Sequence, residues 1–180
     1  MRKWAFLKLF VTTFWLQIFL CSAQTPVANR NATPLPSAAD AAFEKLKSLE
    51  GTWEAPLHGQ QEGKVMVNKF HVIGDGSAVL HSEWLDGNQL TTTVFYMVGP
   101  ELRADHYCDL QNQPRYVAKP SADGSVVEFV LRDITNLDAH PRHFHSTTWH
   151  FVDGRHLTQD WEIAEGSKPP KFVRMEFTRE

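Results

Sequence analysis

Residues 64–98, KVMVNKFHVIGDGSAVLHSEWLDGNQLTTTVFYMV, decide the fold class of this chain. The stretch contains three runs rich in β-branched and aromatic residues, which are 64–73, 77–85 and 90–98. Gly74-Asp75-Gly76 and Asp86-Gly87-Asn88 separate these runs. Because short loops of this composition are typical of β-hairpins, the stretch predicts three sequential antiparallel strands.

The same pattern extends in both directions along the chain. It adds further strand-like runs, which are 52–57, 101–108, 114–119, 125–132, 143–152, 155–163 and 170–179. Sequential antiparallel strands in this number normally close into a barrel, because closure removes the sheet edges. We therefore predict an all-β fold, an up-and-down barrel of lipocalin or calycin type with about ten strands. A two-sheet sandwich is the alternative.

One short N-terminal helix is predicted ahead of the strands. Ser37 is a typical N-cap, and the following residues up to Leu49 are rich in helix formers. Phe43 and Leu46 share one face, which we expect to plug or flank the sheet. The predicted barrel domain therefore spans residues 37–180.

The N-terminal residues predict export. Residues 1–23 combine Arg2 and Lys3 with an apolar run and small residues before Gln24, which is the order of a secretory signal peptide. The apolar run is short for a membrane span, so we expect no stable membrane anchor after cleavage. Residues 24–36 contain three prolines and predict a flexible linker. The expected location is periplasmic or extracellular.

The charge balance excludes one class of partner. The chain has 18 basic and 21 acidic residues, a formal net charge of −3. Nucleic-acid binding requires a basic face that displaces counterions from phosphates. We therefore expect no nucleic-acid partner.

Strand alternation predicts a partly polar barrel interior. The residues expected to point inward are Leu102, Ala104, His106 and Cys108, then His143, His145, Thr147, Trp149 and Phe151, then Leu157, Gln159, Trp161 and Ile163. Buried polar groups are costly unless they are satisfied, so this interior suggests a lined cavity. His106, Cys108 and Gln159 would offer its polar contacts. Trp149 and Trp161 would form an apolar wall, or would simply fill the core.

His143 and His145 are the first candidates for chemistry. Residues two apart on a strand point the same way, so both imidazoles can meet one ion. With His106 or Cys108 as a third ligand, the set would suit zinc or another transition metal. The alternative is a hydrogen-bonded polar cluster with Asp133, Asn136 or buried water.

Two other features have a chemical and a structural interpretation. Cys108 is the only cysteine after residue 23, and it is either a nucleophile activated by His106 or an inert buried thiol. Asn112 and Arg115 at a hairpin would grip an anionic group, or would serve the turn alone. The long loop 133–142 is a predicted lid over one end of the barrel.

Several short motifs resemble a family of small, mostly uncharacterised bacterial proteins. The motifs are Leu49-Glu50-Gly51-Thr52-Trp53-Glu54, His106-Tyr107-Cys108, Asn112-Gln113-Pro114-Arg115, Asp133-Ile134-Thr135-Asn136-Leu137 and Leu157-Thr158-Gln159-Asp160-Trp161. The resemblance spans about residues 43–180. It implies an exported, lipocalin-like barrel and implies no particular activity.

The opening Gly51-Thr52-Trp53-Glu54 is also similar to that of nitrobindin, a ten-stranded barrel that holds haem. The resemblance would imply a haem-ligating histidine near the C-terminal end. Here the last histidine is His156, and residues 170–179 contain none. We therefore do not expect haem.

Three functions follow from these observations. The first is an exported barrel that binds a small apolar or amphipathic molecule. The second is a metal-binding protein or metalloenzyme built on the histidines. The third is a structural or interaction barrel with a filled interior. A phosphate loop, a Ser/His/Asp motif and a paired-carboxylate signature are missing from the sequence, which favours binding over catalysis.

Overall fold

The computed structural model describes residues 36–180. Its elements are the helix α1 (Ala38–Lys47) and the strands β1 (Gly51–Pro56), β2 (Val65–Ile73), β3 (Ala78–Leu85), β4 (Asn88–Val98), β5 (Glu101–Cys108), β6 (Gln113–Pro120), β7 (Val126–Thr135), β8 (Arg142–Phe151), β9 (His156–Glu165) and β10 (Lys171–Arg179). A 3-10 turn, Gly59–Gln61, lies between β1 and β2. The predicted signal peptide (residues 1–23) and residues 24–35 of the predicted linker lie outside the described residues.

The strands form one closed barrel in which each strand pairs antiparallel with its neighbours in sequence, and β10 returns to β1. The predicted all-β, ten-stranded barrel with one short helix is therefore confirmed, and the sandwich alternative is wrong. No helix within residues 36–180 is long and apolar enough to cross a membrane.

Helix α1 closes the end of the barrel at which β1 begins; we call this the helix end and the opposite end the open end. Ser37 and Asp40 form a capping box that fixes the start of the helix. The face with Phe43 and Leu46 is buried in the barrel. A Cβ added to Gly124, in the turn after β6, would lie 2.5 Å from the backbone nitrogen of Ala42, so helix and turn are in close contact.

Hydrogen bonds secure the chain after the helix. Trp53 Nε1 donates to the Leu49 carbonyl at 2.7 Å. The Arg179 guanidinium lies 4.5 Å from the Trp53 ring and donates to the carbonyls of Ser48 and Glu50. The last strand thus satisfies carbonyls that the end of a helix leaves without partners.

The half of the barrel next to the helix is filled by aromatic side chains. Trp149 lies at its centre, with ring centroids 6.0 Å from Phe70, 5.2 Å from Phe95 and 5.8 Å from Phe129. All four residues are at most 3% exposed. This half is therefore a packed core.

The seam between β1 and β10 is short. The two strands pair at Trp53↔Arg179 and Glu54↔Thr178, whereas β1 and β2 pair at six positions. Both seam pairs lie near the helix end. Towards the open end, β10 separates from β1, and Val173 is 41% exposed although its neighbours across the sheet, such as Trp161, point inward.

Candidate functional site

The inward faces near the open end carry buried polar side chains. They are Asn68 on β2, Glu83 on β3, Thr91 and Thr93 on β4, His106 on β5, Thr147 on β8 and Gln159 on β9. Period-two alternation places all of them on the same side of their strands as the core residues. Polar side chains therefore share the interior with aromatic ones, and they are most frequent away from the helix end.

Seven buried polar atoms in this interior have no hydrogen-bond partner among residues 36–180. They are Asn68 Nδ2 and Oδ1, His81 Nδ1 and Nε2, Glu83 Oε1, His106 Nε2 and Gln159 Nε2. Native proteins satisfy the large majority of such atoms, with protein, water or ligand. Ordered water or a bound molecule would supply the missing partners of these atoms.

Asn68, Glu83 and Thr91 form the Glu83 cluster. Asn68 and Thr91 are the residues directly opposite Glu83 on its two neighbouring strands. Thr91 Oγ1 donates to Glu83 Oε2 at 2.8 Å, while Glu83 Oε1 has no partner in the described residues. Burial raises the pKa of Glu83 to about 7, against a weaker opposing effect of the Thr91 hydrogen bond. The carboxyl therefore changes charge near neutral pH.

His106 lies beside this cluster in an aromatic pocket. Its Nδ1 shares a 2.7 Å hydrogen bond with Thr93 Oγ1. Its ring centroid is 5.4 Å from that of Phe144 and 5.6 Å from that of Trp161. Burial lowers the pKa of His106 to about 4, so the imidazole is neutral at pH 7.

His81 is the second buried imidazole. It stacks on Phe70 with ring centroids 4.5 Å apart and meets Trp149 edge-on at 5.3 Å. Burial, with a smaller effect of His106, lowers the pKa of His81 to about 3. Both imidazoles therefore contribute polarity without positive charge.

A cleft of about 1060 Å³ runs along β10, from Leu85, Leu90 and Arg142 at the open end to His156 and Thr178 at the helix end. Its apolar lining includes Leu57, Met66, Leu85, Leu90, Met175 and Phe177. Met66 and Leu85 lie two residues from Asn68 and Glu83 on the same strands, and Leu90 directly precedes Thr91. Three residues of the lining are therefore close sequence neighbours of the Glu83 cluster, whose own members are buried and do not line the cleft.

The predicted pairing of His143 and His145 on the inner face is wrong. The pairing of β8 with β9 shifts between Phe144 and Ser146, so His145 occupies a β-bulge and is exposed. Phe144 takes the inward place against His106. His143 is buried, donates from Nδ1 to the Pro141 carbonyl at 3.0 Å, and lies 3.3 Å through Nε2 from His145 Nδ1.

The structure does not bring the proposed metal ligands together. His143 and His145 contact each other, while His106 is surrounded by Thr93, Phe144 and Trp161. Within residues 36–180, no three His, Cys, Asp or Glu side chains are grouped so that they could hold a metal ion.

Cys108 and Asn112 belong to the loops at the open end. Asn112 is fully buried, and its Nδ2 donates to the carbonyls of His140 at 2.9 Å and Arg142 at 2.8 Å. Cys108 Sγ lies 3.5 Å from Asn112 Oδ1, and burial raises the pKa of the thiol. A raised pKa keeps the thiol protonated, which opposes a nucleophilic role. Asn112 thus joins the β5–β6 turn to the predicted lid, which the structure places at residues 136–141.

Arg115 does not face the interior. It forms a salt bridge with Asp133, the residue directly opposite on β7, and both side chains are 41% exposed. The idea that Arg115 grips an anionic group at the barrel mouth stays a prediction, and here its guanidinium already has a carboxylate partner in Asp133. Its role is to pair charge across the outer face of the sheet.

The two predicted wall tryptophans differ in role. Trp149 is 1% exposed and lies in the packed core, with its Nε1 donating to Thr147 Oγ1 at 3.1 Å. Trp161 lies beside His106, and its Nε1 donates to Gln159 Oε1 at 3.2 Å. Gln159 is fully buried with its Nε2 unpartnered in the described chain. Trp161 and Gln159 therefore remain site candidates, together with His106.

Sequence reasoning missed the Glu83 cluster and His81. The signal was available, because alternation in the strand-like runs 64–73 and 77–85 puts Asn68, His81 and Glu83 in line with apolar residues. The feature to notice was the Glu83 carboxylate, which alternation places on the same face of its strand as Val79 and Leu85.

No family model and no curated protein matches this sequence. Solved structures do match, 14 chains in all. One is the crystal structure of Rv2717c from M. tuberculosis, with a TM-score of 0.56 and 16% sequence identity over 77% of this chain and 97% of that chain. A likeness at this identity concerns the fold alone.

The fold and the interior together define the class of protein. It is a closed ten-stranded antiparallel barrel that a helix blocks at one end, with a cleft beside β10 and buried polar groups in its interior. The match to Rv2717c is consistent with a lipocalin-like barrel.

Proposed function

We propose that this protein is an exported barrel that binds a small amphipathic molecule, in the periplasm or outside the cell. One observation carries the proposal. Seven buried polar atoms of the barrel interior have no partner in the described residues, and an apolar cleft of about 1060 Å³ is lined by Met66 and Leu85, two residues along the same strands from Asn68 and Glu83. Small-molecule sites commonly combine an apolar lining with a few placed polar groups.

The energetic cost of this interior supports binding over a purely structural role. A buried polar group without a partner costs about 1–3 kcal/mol. Asn68 and His81 each have two such atoms, yet an apolar residue at either position would cost nothing of this kind. A filled structural barrel has no use for them, whereas a ligand, alone or with water, would satisfy several at once.

The arrangement also suggests how the ligand lies. Helix α1 and the aromatic core block the helix end, so entry is from the open end. The apolar part would contact Met66, Leu85 and Met175, and the polar part would point toward the Glu83 cluster.

Native mass spectrometry with elemental analysis tests the proposal first. The protein is expressed from the full chain and recovered after export without metal-affinity resin or chelator. A non-covalent organic adduct supports the proposal and gives the mass of the ligand. A stoichiometric metal that is lost in a His143→Ala, His145→Ala variant would instead support the metal alternative.

A matched pair of variants tests the cleft itself with the neutral apolar dye N-phenyl-1-naphthylamine. Met66→Trp fills the cleft and is expected to lower dye affinity at least tenfold. Val98→Trp adds the same side chain at an exposed position near the helix end and is expected to leave affinity unchanged. Equal dye binding by all three proteins would contradict the proposed site, and circular dichroism checks that each variant is folded.

A further inference from the structure

The interior of the open half has an asymmetric charge. The two buried imidazoles of the barrel, His106 in this half and His81 against the aromatic core, are neutral at pH 7, because burial lowers the pKa of both. Glu83 is the buried carboxyl among them, and its Oε1 has no partner in residues 36–180. A ligand that enters this half therefore meets a group that is either neutral or negative.

The Glu83 cluster has two unpartnered acceptors, Glu83 Oε1 and Asn68 Oδ1, and one unpartnered donor, Asn68 Nδ2. Glu83 Oε1 and Asn68 Oδ1 belong to residues directly opposite each other on β2 and β3, and both oxygens are buried and unpartnered within the described chain. Thr91 already donates to the second carboxylate oxygen. An alkylammonium group offers three N–H donors and a positive charge, which matches these two oxygens.

We propose that the barrel selects amphipathic amines, with the ammonium group held by Glu83 and Asn68 and the alkyl part held in the cleft. This inference rests on the proposed function and names its ligand class. A buried carboxylate is costly unless a partner compensates its charge. An ammonium provides that partner, an alcohol provides only a neutral hydrogen bond, and a carboxylate ligand adds a second negative charge.

The groups around Glu83 do not provide the missing cation. Toward the open end it is near Cys108, Asp109 and Tyr116, and along its own strand it is near His81. Burial raises the pKa of both Cys108 and Tyr116, so these groups stay neutral at pH 8. Asp109 adds negative charge, which favours a cationic ligand further.

Arg142 lines the cleft and is the opposing consideration. It is exposed at the rim, at the start of β8, whereas Glu83 is 5% exposed. Since solvent screens exposed charges far more than buried ones, Glu83 dominates the deep end of the site. A ligand that used Arg142 would carry a carboxylate at the rim, and the test below separates the two cases.

The test compares three ligands of equal chain length: dodecylamine, dodecanol and dodecanoate. Each is added at concentrations below its solubility limit or micellar concentration, and its displacement of N-phenyl-1-naphthylamine from the protein is measured. At pH 8, dodecylamine is expected to bind about 10- to 100-fold more tightly than dodecanol, the range for a hydrogen bond to a charged group. Its affinity is expected to rise about tenfold from pH 6 to pH 8 as Glu83 ionises, while that of dodecanol does not rise.

Two variants identify the group responsible. Glu83→Gln is expected to abolish the preference for dodecylamine and its pH dependence while dodecanol still binds; Glu128→Gln, at an exposed position on β7, is the matched control. Thr91→Val removes the hydrogen bond that stabilises the Glu83 charge, so the midpoint of the pH profile is expected to move upward. The Thr91 variant keeps the test valid where Glu83→Gln fails to fold.

The outcomes separate this inference from the proposed function. Equal or tighter binding of dodecanol or dodecanoate overturns the amine preference and leaves the binding barrel intact. An unchanged preference in Glu83→Gln overturns the role of Glu83. Failure of the dye and of all three ligands to bind overturns the proposed function itself.

Discussion

Replacing Glu83 by glutamine is expected to remove a pH dependence of the protein's stability. Burial raises the pKa of this carboxyl from 4.5 to about 7. Because the folded state binds the proton more tightly than the unfolded state, the stability that Glu83 contributes is complete below pH 4.5 and is lost as the pH rises through about 7. Each pKa unit corresponds to about 1.4 kcal/mol, so the loss in the free energy of unfolding is about 3 kcal/mol by pH 8.5.

Urea unfolding from pH 5 to pH 8.5, followed by tryptophan fluorescence, measures this effect. The quantity to compare is the free energy of unfolding of the wild type minus that of Glu83→Gln at each pH. Since both proteins contain His81 and His106, the titration of those groups cancels in the difference. The difference is expected to fall by about 2.5 kcal/mol between pH 5 and pH 8.5, because a small part of the loss has already occurred at pH 5. Parallel pH profiles for the two proteins would refute the assignment of a raised pKa to Glu83, and Glu128→Gln should show such parallel profiles.

Four further substitutions test the core, the loops and the helix contact. His81→Phe is expected to stabilise the protein at pH 5 by about 2 kcal/mol more than at pH 8. The reason is that the buried imidazole stays neutral in the folded state at pH 5, whereas in the unfolded chain it is protonated below pH 6.5. Equal effects of the substitution at both pH values would contradict this prediction. Asn112→Ala is expected to cost about 1–3 kcal/mol in urea unfolding and to speed proteolysis of the two loops it joins, and unchanged cleavage would count against that role. Gly87→Ala is the control for the helix contact: a Cβ there has open space, so its expected cost of about 1–2 kcal/mol comes from the positive φ alone. Gly124→Ala is expected to lower the thermal midpoint of unfolding further, because its Cβ would also meet the backbone of α1. Equal midpoints for the two variants would exclude the close contact.

The positions of the strands were predictable because the turns between them contain glycine or aspartate, which are typical turn residues. The segment 101–108 was predicted with the bounds that β5 has in the structure, and the inward faces of 101–108 and 155–163 were predicted correctly. The helix start at Ser37 was equally clear, because a capping residue precedes a run of helix formers. Strand bounds, inward faces and helix caps depend on residues that are close in sequence, so a single sequence is enough to predict them.

The candidate site was less predictable, because it depends on register. A single inserted residue in β8 turns Phe144 inward and His145 outward, and nothing in the local sequence signals that bulge. Arg115 was predicted to lie at the mouth of the barrel. In the structure it pairs with Asp133 on the outer face of the neighbouring strand β7. The Glu83 cluster needs three strands in one register, so its members become neighbours only once the barrel closes.

The barrel separates the residues that stabilise it from those that we propose to bind a ligand. Helix α1, the aromatic residues around Trp149 and the two β1–β10 pairs all lie toward the helix end. Because this half secures the fold, the open half can hold buried polar atoms at a cost in stability. The short seam has a related consequence: β10 is released from β1 beside the cleft, so Met175 and Val173 line an entrance rather than a closed wall. A longer seam would satisfy more backbone groups and would narrow the route to Glu83.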